Sequence, residues 1–188
     1  MAKKESLEVE GRVLVIDGDE SPNLKLSVNA SRMWHKQDLK EVFDENGTFI
    51  RTFRYKGLTE TDLQGASDWI VNGSLNFDTN IENPFEATLT GNFASDRIYA
   101  LGAPEIQTSS DINYNDAIVE NGFVTLDLII NKEFGEHWRV GLSGKNLLNP
   151  EIKRTQLVRP STTGIESEQT VLSYTRGVQL GLNLKYIF

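Results

Sequence analysis

An all-β fold is predicted for this chain: an antiparallel up-and-down meander of about seven strands that crosses a membrane as part of a β-barrel. Three observations predict it. Apolar and polar residues alternate strictly in segment after segment, the period-2 pattern of strands with two different faces. Short, turn-rich links alternate with long ones, so one end of the meander carries tight turns and the other long connections. Aromatic residues of the apolar parity gather at both ends of the segments, where amphipathic rings settle at lipid–water boundaries.

The segments follow in order. Leu7 to Ile16 places Leu7, Val9, Val13 and Val15 on its apolar side, and Asp17 to Pro22 is a turn-rich link. Leu24, Leu26, Val28 and Ala30 then alternate with Lys25, Ser27, Asn29 and Ser31. A long link runs from about Trp34 to Asp68, and within it Asp44-Glu45-Asn46-Gly47 predicts a hairpin turn between Val42-Phe43 and Thr48-Phe49-Ile50. Trp69, Val71, Leu75 and Phe77 oppose Asn72, Ser74, Asn76 and Asp78 in the third segment. The short link Thr79 to Pro84 leads to the fourth, where Phe85, Ala87, Leu89, Gly91 and Phe93 oppose Glu86, Thr88, Thr90 and Asn92.

A second long link, about Arg97 to Gly122, precedes Val124, Leu126, Leu128 and Ile130, which alternate with Thr125, Asp127 and Asn131. Gly135 to His137 turns into the sixth segment, Trp138 to Leu148, with Trp138, Val140 and Leu142 on the apolar side. The third long link, about Asn149 to Thr175, leads to the last segment, Arg176 to Phe188. There Val178, Leu180, Leu182, Leu184, Tyr186 and Phe188 oppose Gln179, Gly181, Asn183 and Lys185. No segment has a helical period. A strand of about 11 residues at ~3.3 Å per residue, tilted about 40°, spans roughly 28 Å, enough for an apolar band of about 25 Å.

Phe77, Phe85, Phe134 and Trp138, with Tyr186 and Phe188, occupy the short-turn ends and are predicted lipid-interface aromatics. Trp34, Trp69 and Phe93 have the apolar parity at the long-link ends. The alternative is a soluble β-sandwich, a binding module that presents three long loops. A sandwich would alternate in the same way but gives no reason for aromatics at both rims.

Composition narrows the function classes. The 188 residues carry 27 acids and 19 bases, a formal charge of -8, which argues against nucleic acid as a partner. With no cysteine, disulfides, thiolate zinc sites and a Cys nucleophile are excluded. Hydrophobic residues at 38% are too many for a disordered tail. No apolar run reaches the roughly 18 residues of a spanning helix, and Met1-Ala2-Lys3-Lys4-Glu5-Ser6 lacks the apolar core of a secretory signal.

The last segment resembles the β-signal by which outer-membrane proteins are recognised for assembly, with Gln179, Gly181, Leu184, Tyr186 and the terminal Phe188 in its places. Gly144-Lys145-Asn146-Leu147-Leu148-Asn149-Pro150 resembles the Asn-Leu-Leu-Asn element near the C-terminus of TonB-dependent receptors. Leu63-Gln64-Gly65-Ala66-Ser67-Asp68-Trp69 resembles that family's Leu-Gln-Gly lead into a barrel strand, in a form common in Bacteroidetes. The ordered set covers nearly the whole chain and is strongest from about Leu63 to Phe188. The resemblance implies a plugged barrel of about 22 strands that imports a scarce ligand, such as an iron chelate, cobalamin or a glycan, powered through TonB. Residues 1–188 are then expected to be the C-terminal portion of the barrel, with the plug domain and N-terminal strands absent, a fragment that does not transport alone. The implied setting is the cell outer membrane. The implied partners are its lipid, the missing plug and strands of a parent receptor, TonB through the absent N-terminal part, and the barrel assembly machinery.

Little else in the sequence suggests chemistry. His35 and His137 fall at opposite ends of the predicted sheet, so no shared metal or catalytic site is expected. Ser109-Ser110-Asp111 and Asp127 have no nearby His to act as base. No phosphate-loop spacing occurs, and Asp17, Asp19 and Glu20 read as solvated charge in a turn rather than a calcium site. No cofactor and no enzymatic activity are expected. The strand glycines Gly11, Gly73, Gly91, Gly141, Gly144 and Gly181 suggest close packing or bends. The long links mix Phe43, Phe49, Phe53 and Tyr55 with Lys40, Arg51, Arg54 and Lys56, and later carry Lys153, Arg154, Arg159 and Arg176. These residues either touch a ligand or pack as extended hairpins.

Overall fold

The computed structural model describes residues 2–17, 22–52, 59–79, 82–102, 114–159 and 163–188. Asp19, Glu20, Phe53, Arg54, Tyr55, Lys56, Ser109, Ser110 and Asp111 lie outside them. Among the described residues every regular element is a β-strand. In chain order the first seven are β1 (Ala2–Ile16), β2 (Asn23–Asp38), β3 (Glu41–Phe43), β4 (Phe49–Thr52), β5 (Glu60–Thr61), β6 (Trp69–Asp78) and β7 (Phe85–Ala94). The rest are β8 (Arg97–Ala100), β9 (Tyr114–Glu120), β10 (Phe123–Phe134), β11 (Trp138–Lys145), β12 (Ile152–Arg159), β13 (Ser167–Tyr174) and β14 (Gln179–Tyr186).

The predicted meander is present as the antiparallel path β1-β2-β6-β7-β10-β11-β14. Directly paired residues share a face, so the register tests the assigned parity. One face carries the rows Val9–Ala30–Val71–Phe93–Val124, Val13–Leu26–Leu75–Leu89–Leu128 and Leu24–Phe77–Ala87–Ile130–Leu142–Leu182. The other carries Asn29–Asn72–Asn92–Thr125 and Ser27–Ser74–Thr90–Asp127. A one-residue slip between any two strands would mix these rows.

The structure corrects three expectations. Among the described residues there are fourteen strands, not about seven, because the long links are paired rather than bare loops. At the end of β1 a bulge takes up Val15, so Ile16 rather than Val15 meets Leu24 on the apolar side. The sixth segment stops at Lys145, and Leu148 lies in a turn. No closed barrel forms among the described residues: β1 pairs only with β2, and β14 only with β11.

The short-turn end is built as predicted at two of its three links. Gly135, at φ +57°, opens the turn that lets Phe134 pair with Trp138. Thr79 donates its N–H to the Phe85 carbonyl at 2.9 Å, and its Oγ1 accepts the Phe85 N–H at 2.8 Å. The hairpin predicted in the first long link also forms, as β3–β4: Asp44 Oδ1 accepts the N–H groups of Asn46 and Thr48 at 2.9 and 2.7 Å, and Gly47 takes φ +77°.

At the long-link end a second antiparallel sheet has the order β8-β9-β12-β13. β8 follows β7 after Ser95 and Asp96, β9 leads into β10 through Asn121 and Gly122, and β12 and β13 fall between β11 and β14. Its order therefore repeats that of β7-β10-β11-β14. The necks between the sheets are tight. Asp96 Oδ1 accepts the Gly122 N–H at 2.6 Å, and a Cβ on Gly122 would stand 2.6 Å from the Ala94 carbonyl oxygen.

Almost nothing apolar is enclosed. Among the described residues only Leu39 and Ile152 are buried hydrophobics, and both lie at the long-link end. The accessible surface is 12635 Å², whereas a compact protein of 21.1 kDa exposes about 9,000 Å². Two sheets packed face to face would bury a row of aliphatic side chains from each, and among the described residues no such buried rows occur.

Candidate functional site

The long-link end holds the polar groups that the rest of the sheet leaves to solvent. The buried polar residues among those described, His35, Ser67, Glu120 and Thr155, all lie there. An arch of chain, Asp62 to Asp68, joins the two sheets. Below it, β5 pairs with β2 at Gln37 and Asp38. Beyond it, the Met33 N–H donates to the Asp68 carbonyl at 2.8 Å, where β6 begins its pairing. Between these points the chain lifts away from β2 and reaches β8: the Gly65 N–H donates to the Ile98 carbonyl at 2.8 Å and Gln64 Nε2 to the Tyr99 carbonyl at 3.0 Å. Ser67 Oγ donates to the Ser95 carbonyl at 2.9 Å. Gly65 adopts φ +82°, so the Leu-Gln-Gly lead needs glycine for the bend of the arch.

His35 stands under the arch with its side chain 1% exposed. Its Nδ1 accepts the Leu63 N–H at 3.1 Å, and its Nε2 lies 3.3 Å from Asp68 Oδ1 without hydrogen-bond geometry. Asp68 Oδ2 in turn accepts from Arg32 Nη1 at 2.7 Å. Arg32 is the residue that breaks the apolar parity of β2, and its guanidinium lies 5.6 Å from the Trp34 ring and 5.1 Å from the Trp69 ring. A cation between two indoles suits the level where an apolar face meets water. Cavities of about 440 and 540 Å³ flank the arch and share Arg32, His35, Asp62 and Asp68 as walls.

In the outer sheet, Arg97, Glu120 and Arg154 are direct cross-strand partners. Glu120 Oε1 accepts from Arg97 Nε at 3.0 Å and Nη2 at 2.5 Å, and Oε2 from Arg154 Nε at 2.8 Å and Nη2 at 2.7 Å. Burial pushes the Glu120 carboxyl up, but the hydrogen bonds from Arg154 and Arg97 outweigh it and hold the group below the usual carboxylate range. Arg154 also stacks on Tyr99 at 3.5 Å. Arg154, one of the cations noted in the third long link, is thus a strand residue locked in place.

The Asn-Leu-Leu-Asn element forms a knuckle that ties three strands. Asn146 and Asn149 take φ +57° and +43°, a region that asparagine tolerates better than other side chains. The Asn146 N–H donates to Asp127 Oδ1 at 2.8 Å and the Leu147 N–H to the Leu126 carbonyl at 2.8 Å, both on β10. Asn146 Nδ2 donates to the Gly177 carbonyl and Asn149 Oδ1 accepts the Gly177 N–H, each at 2.8 Å, holding the approach to β14.

The residues predicted for assembly fall on both faces of β14. Gln179 and Gly181 pair with Lys145 and Ser143 on the polar face, while Leu184 and Tyr186 pair with Val140 and Trp138 on the apolar face. A Cβ on Gly181 would stand 2.5 Å from Ser143 Oγ. The predicted interface aromatics form a rim at the short-turn end: Phe77 and Phe85 meet edge to face at 6.1 Å, and Tyr186 contacts Trp138 at 4.9 Å and Phe188 at 5.0 Å. Phe134 joins the row through its pairing with Trp138. His137 belongs to this rim, its ring 5.5 Å from that of Tyr186, at the end of the sheet away from His35. Among the described residues no three His, Asp or Glu side chains gather as a metal site.

Sequence reasoning missed the Arg97–Glu120–Arg154 row and the arch. The one available signal was Arg32, a charge of apolar parity between Ala30 and Trp34. Comparison with known proteins found no matching family model, no matching curated protein and no matching solved structure.

Proposed function

We propose that the chain is the C-terminal barrel portion of a TonB-dependent receptor in a cell outer membrane, part of a transporter that imports a scarce ligand such as an iron chelate, cobalamin or a glycan. The observation that carries this proposal is a seven-strand antiparallel meander whose aliphatic face is exposed, unpacked and bracketed by aromatic rows. In water that face would cost on the order of 25 cal/mol per Å², and lipid removes the cost. The polar rows then face the lumen, the short turns the periplasm, and the outer sheet the medium. The open sides of β1 and β14 pair with further strands of the receptor, because unpaired backbone groups in lipid cost several kcal/mol each. The sandwich alternative lacks the support it needs, since Leu26, Leu75, Leu142 and Leu182, which it would bury between sheets, are exposed.

Protease added to intact cells that carry the protein in its receptor tests the proposal. Cleavage is expected near Glu166, in the β12–β13 link, and not near Glu136, in the β10–β11 turn. Recovery of the chain in the soluble fraction, or cutting at Glu136 alone, would overturn it. The further cleavage sites expected at Arg54 and Glu105 lie outside the described residues.

A further inference from the structure

Six antiparallel pairings join the seven strands of the meander. Its two edges, β1 and β14, therefore run the same way, each from the long-link end to the short-turn end. Side chains on these edges lack a neighbour on one side. On the aliphatic face Leu26 of β2 and Leu75 of β6 are 39% and 37% exposed, whereas Leu182 and Leu184 of β14 are 73% and 62% exposed. Val9 and Val13 of β1 resemble the latter pair, at 62% and 58%. The excess is the flank that an adjoining strand covers. Neither edge is blunted against pairing in the usual ways. Neither strand contains proline, β14 keeps one register along its length, and the bulge of β1 falls at its last residues. The aliphatic face carries no charge from Leu7 to Val13 or from Leu180 to Tyr186.

On the outer-membrane reading, we infer that the two edges are one interface for an antiparallel meander of an odd number of strands, whose first and last strands both run from the short-turn end to the long-link end. A second copy of the chain does not fit. In the same orientation it would set its β1 beside β14 as a parallel pair, which is weaker per residue, in a sheet where every pairing is antiparallel. Turned end over end, it could pair β14 with β14 antiparallel. It would then carry its β8-β9-β12-β13 sheet, with the buried Glu120, to the short-turn side of the membrane. An odd number of strands added to seven gives the even count at which an up-and-down barrel closes with every pair antiparallel. The partner continues the rows: apolar residues beside Val9 and Leu182, and polar ones beside Arg12 and Asn183.

Photo-cross-linking in membranes of cells that naturally contain the protein tests the interface. p-Benzoylphenylalanine is placed singly at Glu8, Arg12, Asn183 or Lys185 of the full chain, positions on the polar face of the two edges. The captured residues are then mapped by mass spectrometry. Moving the probe from Glu8 to Arg12 should shift the captured residue about four places toward the N-terminus of its strand, and moving it from Asn183 to Lys185 about two places the same way. A shift toward the C-terminus at either edge would show a parallel pair and overturn the inference. Capture of a second copy, or of no strand, would also overturn it. Where a probe prevents folding, Asn183→Cys in a chain that has no other cysteine gives a second measurement. No disulfide-linked dimer is expected on oxidation, and a dimer would refute the interface. Reverse shifts at both edges in protein recovered from the soluble fraction would support the interface and sink the membrane reading alone.

Discussion

In the middle of β14 Leu182 leaves 73% of its surface exposed, while at the start of β12 Ile152 leaves 2%. Both are aliphatic residues on well-paired strands of one antiparallel protein. The difference lies in what surrounds them. The meander keeps its rows in register by backbone pairing and leaves its aliphatic face for an outside medium to cover. The outer sheet supplies its own surroundings: cross-strand ions, the arch and the Asn146–Asn149 knuckle. One region depends on its solvent and the other on its internal polar bonds, so changes of solvent and changes of charge should strike them separately.

The largest expected effect tests the second half of that contrast. Glu120→Ala leaves Arg154 beside an empty place and should cost about 3–5 kcal/mol, the usual cost of breaking a buried pair. Loss of amide protection should be confined to β8, β9 and β12 and spare the meander. Acid offers a gentler version. Because the Glu120 carboxyl is held below its usual range, its contribution is fully present above the unfolded value of 4.5 and disappears as the pH falls through the lower folded value. Protection in β9 should therefore drop in strong acid, and it should not change on raising the pH from 5 to 8.

Next comes the meander. In a bilayer Leu182→Arg should cost about 2–4 kcal/mol in denaturant unfolding, and Asn183→Arg far less. Similar costs would show that lipid does not cover the aliphatic face. The same pair in water should reverse nothing in the outer sheet.

Smaller still is the knuckle. Asn149→Ala loses the bond to the Gly177 N–H and places alanine at positive φ, for about 1–2 kcal/mol together. Asn149→Gly should recover part of that loss, since glycine accepts the backbone angle but not the bond. Equal losses in both variants would assign the whole effect to the side chain.

The last test concerns folding yield rather than stability. Phe188 is fully exposed and its ring meets that of Tyr186, whereas Phe85 packs on Phe77. If the end of β14 serves only as an anchor, deleting Phe188 and Phe85→Ala should lower the amount of assembled protein equally. A recognition role predicts a much larger loss from the deletion.

The meander was legible in the sequence because its alternation runs for eight or more residues in β2, β6, β7 and β14 and because Asn, Ser and Thr recur on the opposite face. The outer sheet was not, and its registers show why. Bulges fall between Ile98 and Ala100, between Arg154 and Thr155, and between Gln156 and Val158. Each resets the period within a strand too short to show it twice. In β12, Lys153, Arg154, Thr155 and Gln156 are polar in succession, which reads as a loop until the partners are known. Glu120 is paired by arginines 23 residues before it and 34 after, a separation at which a single sequence carries no signal. The Asn-Leu-Leu-Asn element was legible as a resemblance. Its physical reason, two asparagines at positive φ, became visible only in the backbone.

The necks at Ser95–Asp96 and Asn121–Gly122 leave only two residues on each strand between the meander and the β8–β9 hairpin. A joint so small makes the hairpin beyond it an exchangeable cassette. Residues 97–120 could be replaced by a hairpin of another length or sequence without moving Val124 from its place beside Phe93, provided that Asp96 and Gly122 stay. Variation at this end would then arise by exchanging whole hairpins, with the aliphatic rows of the meander left untouched.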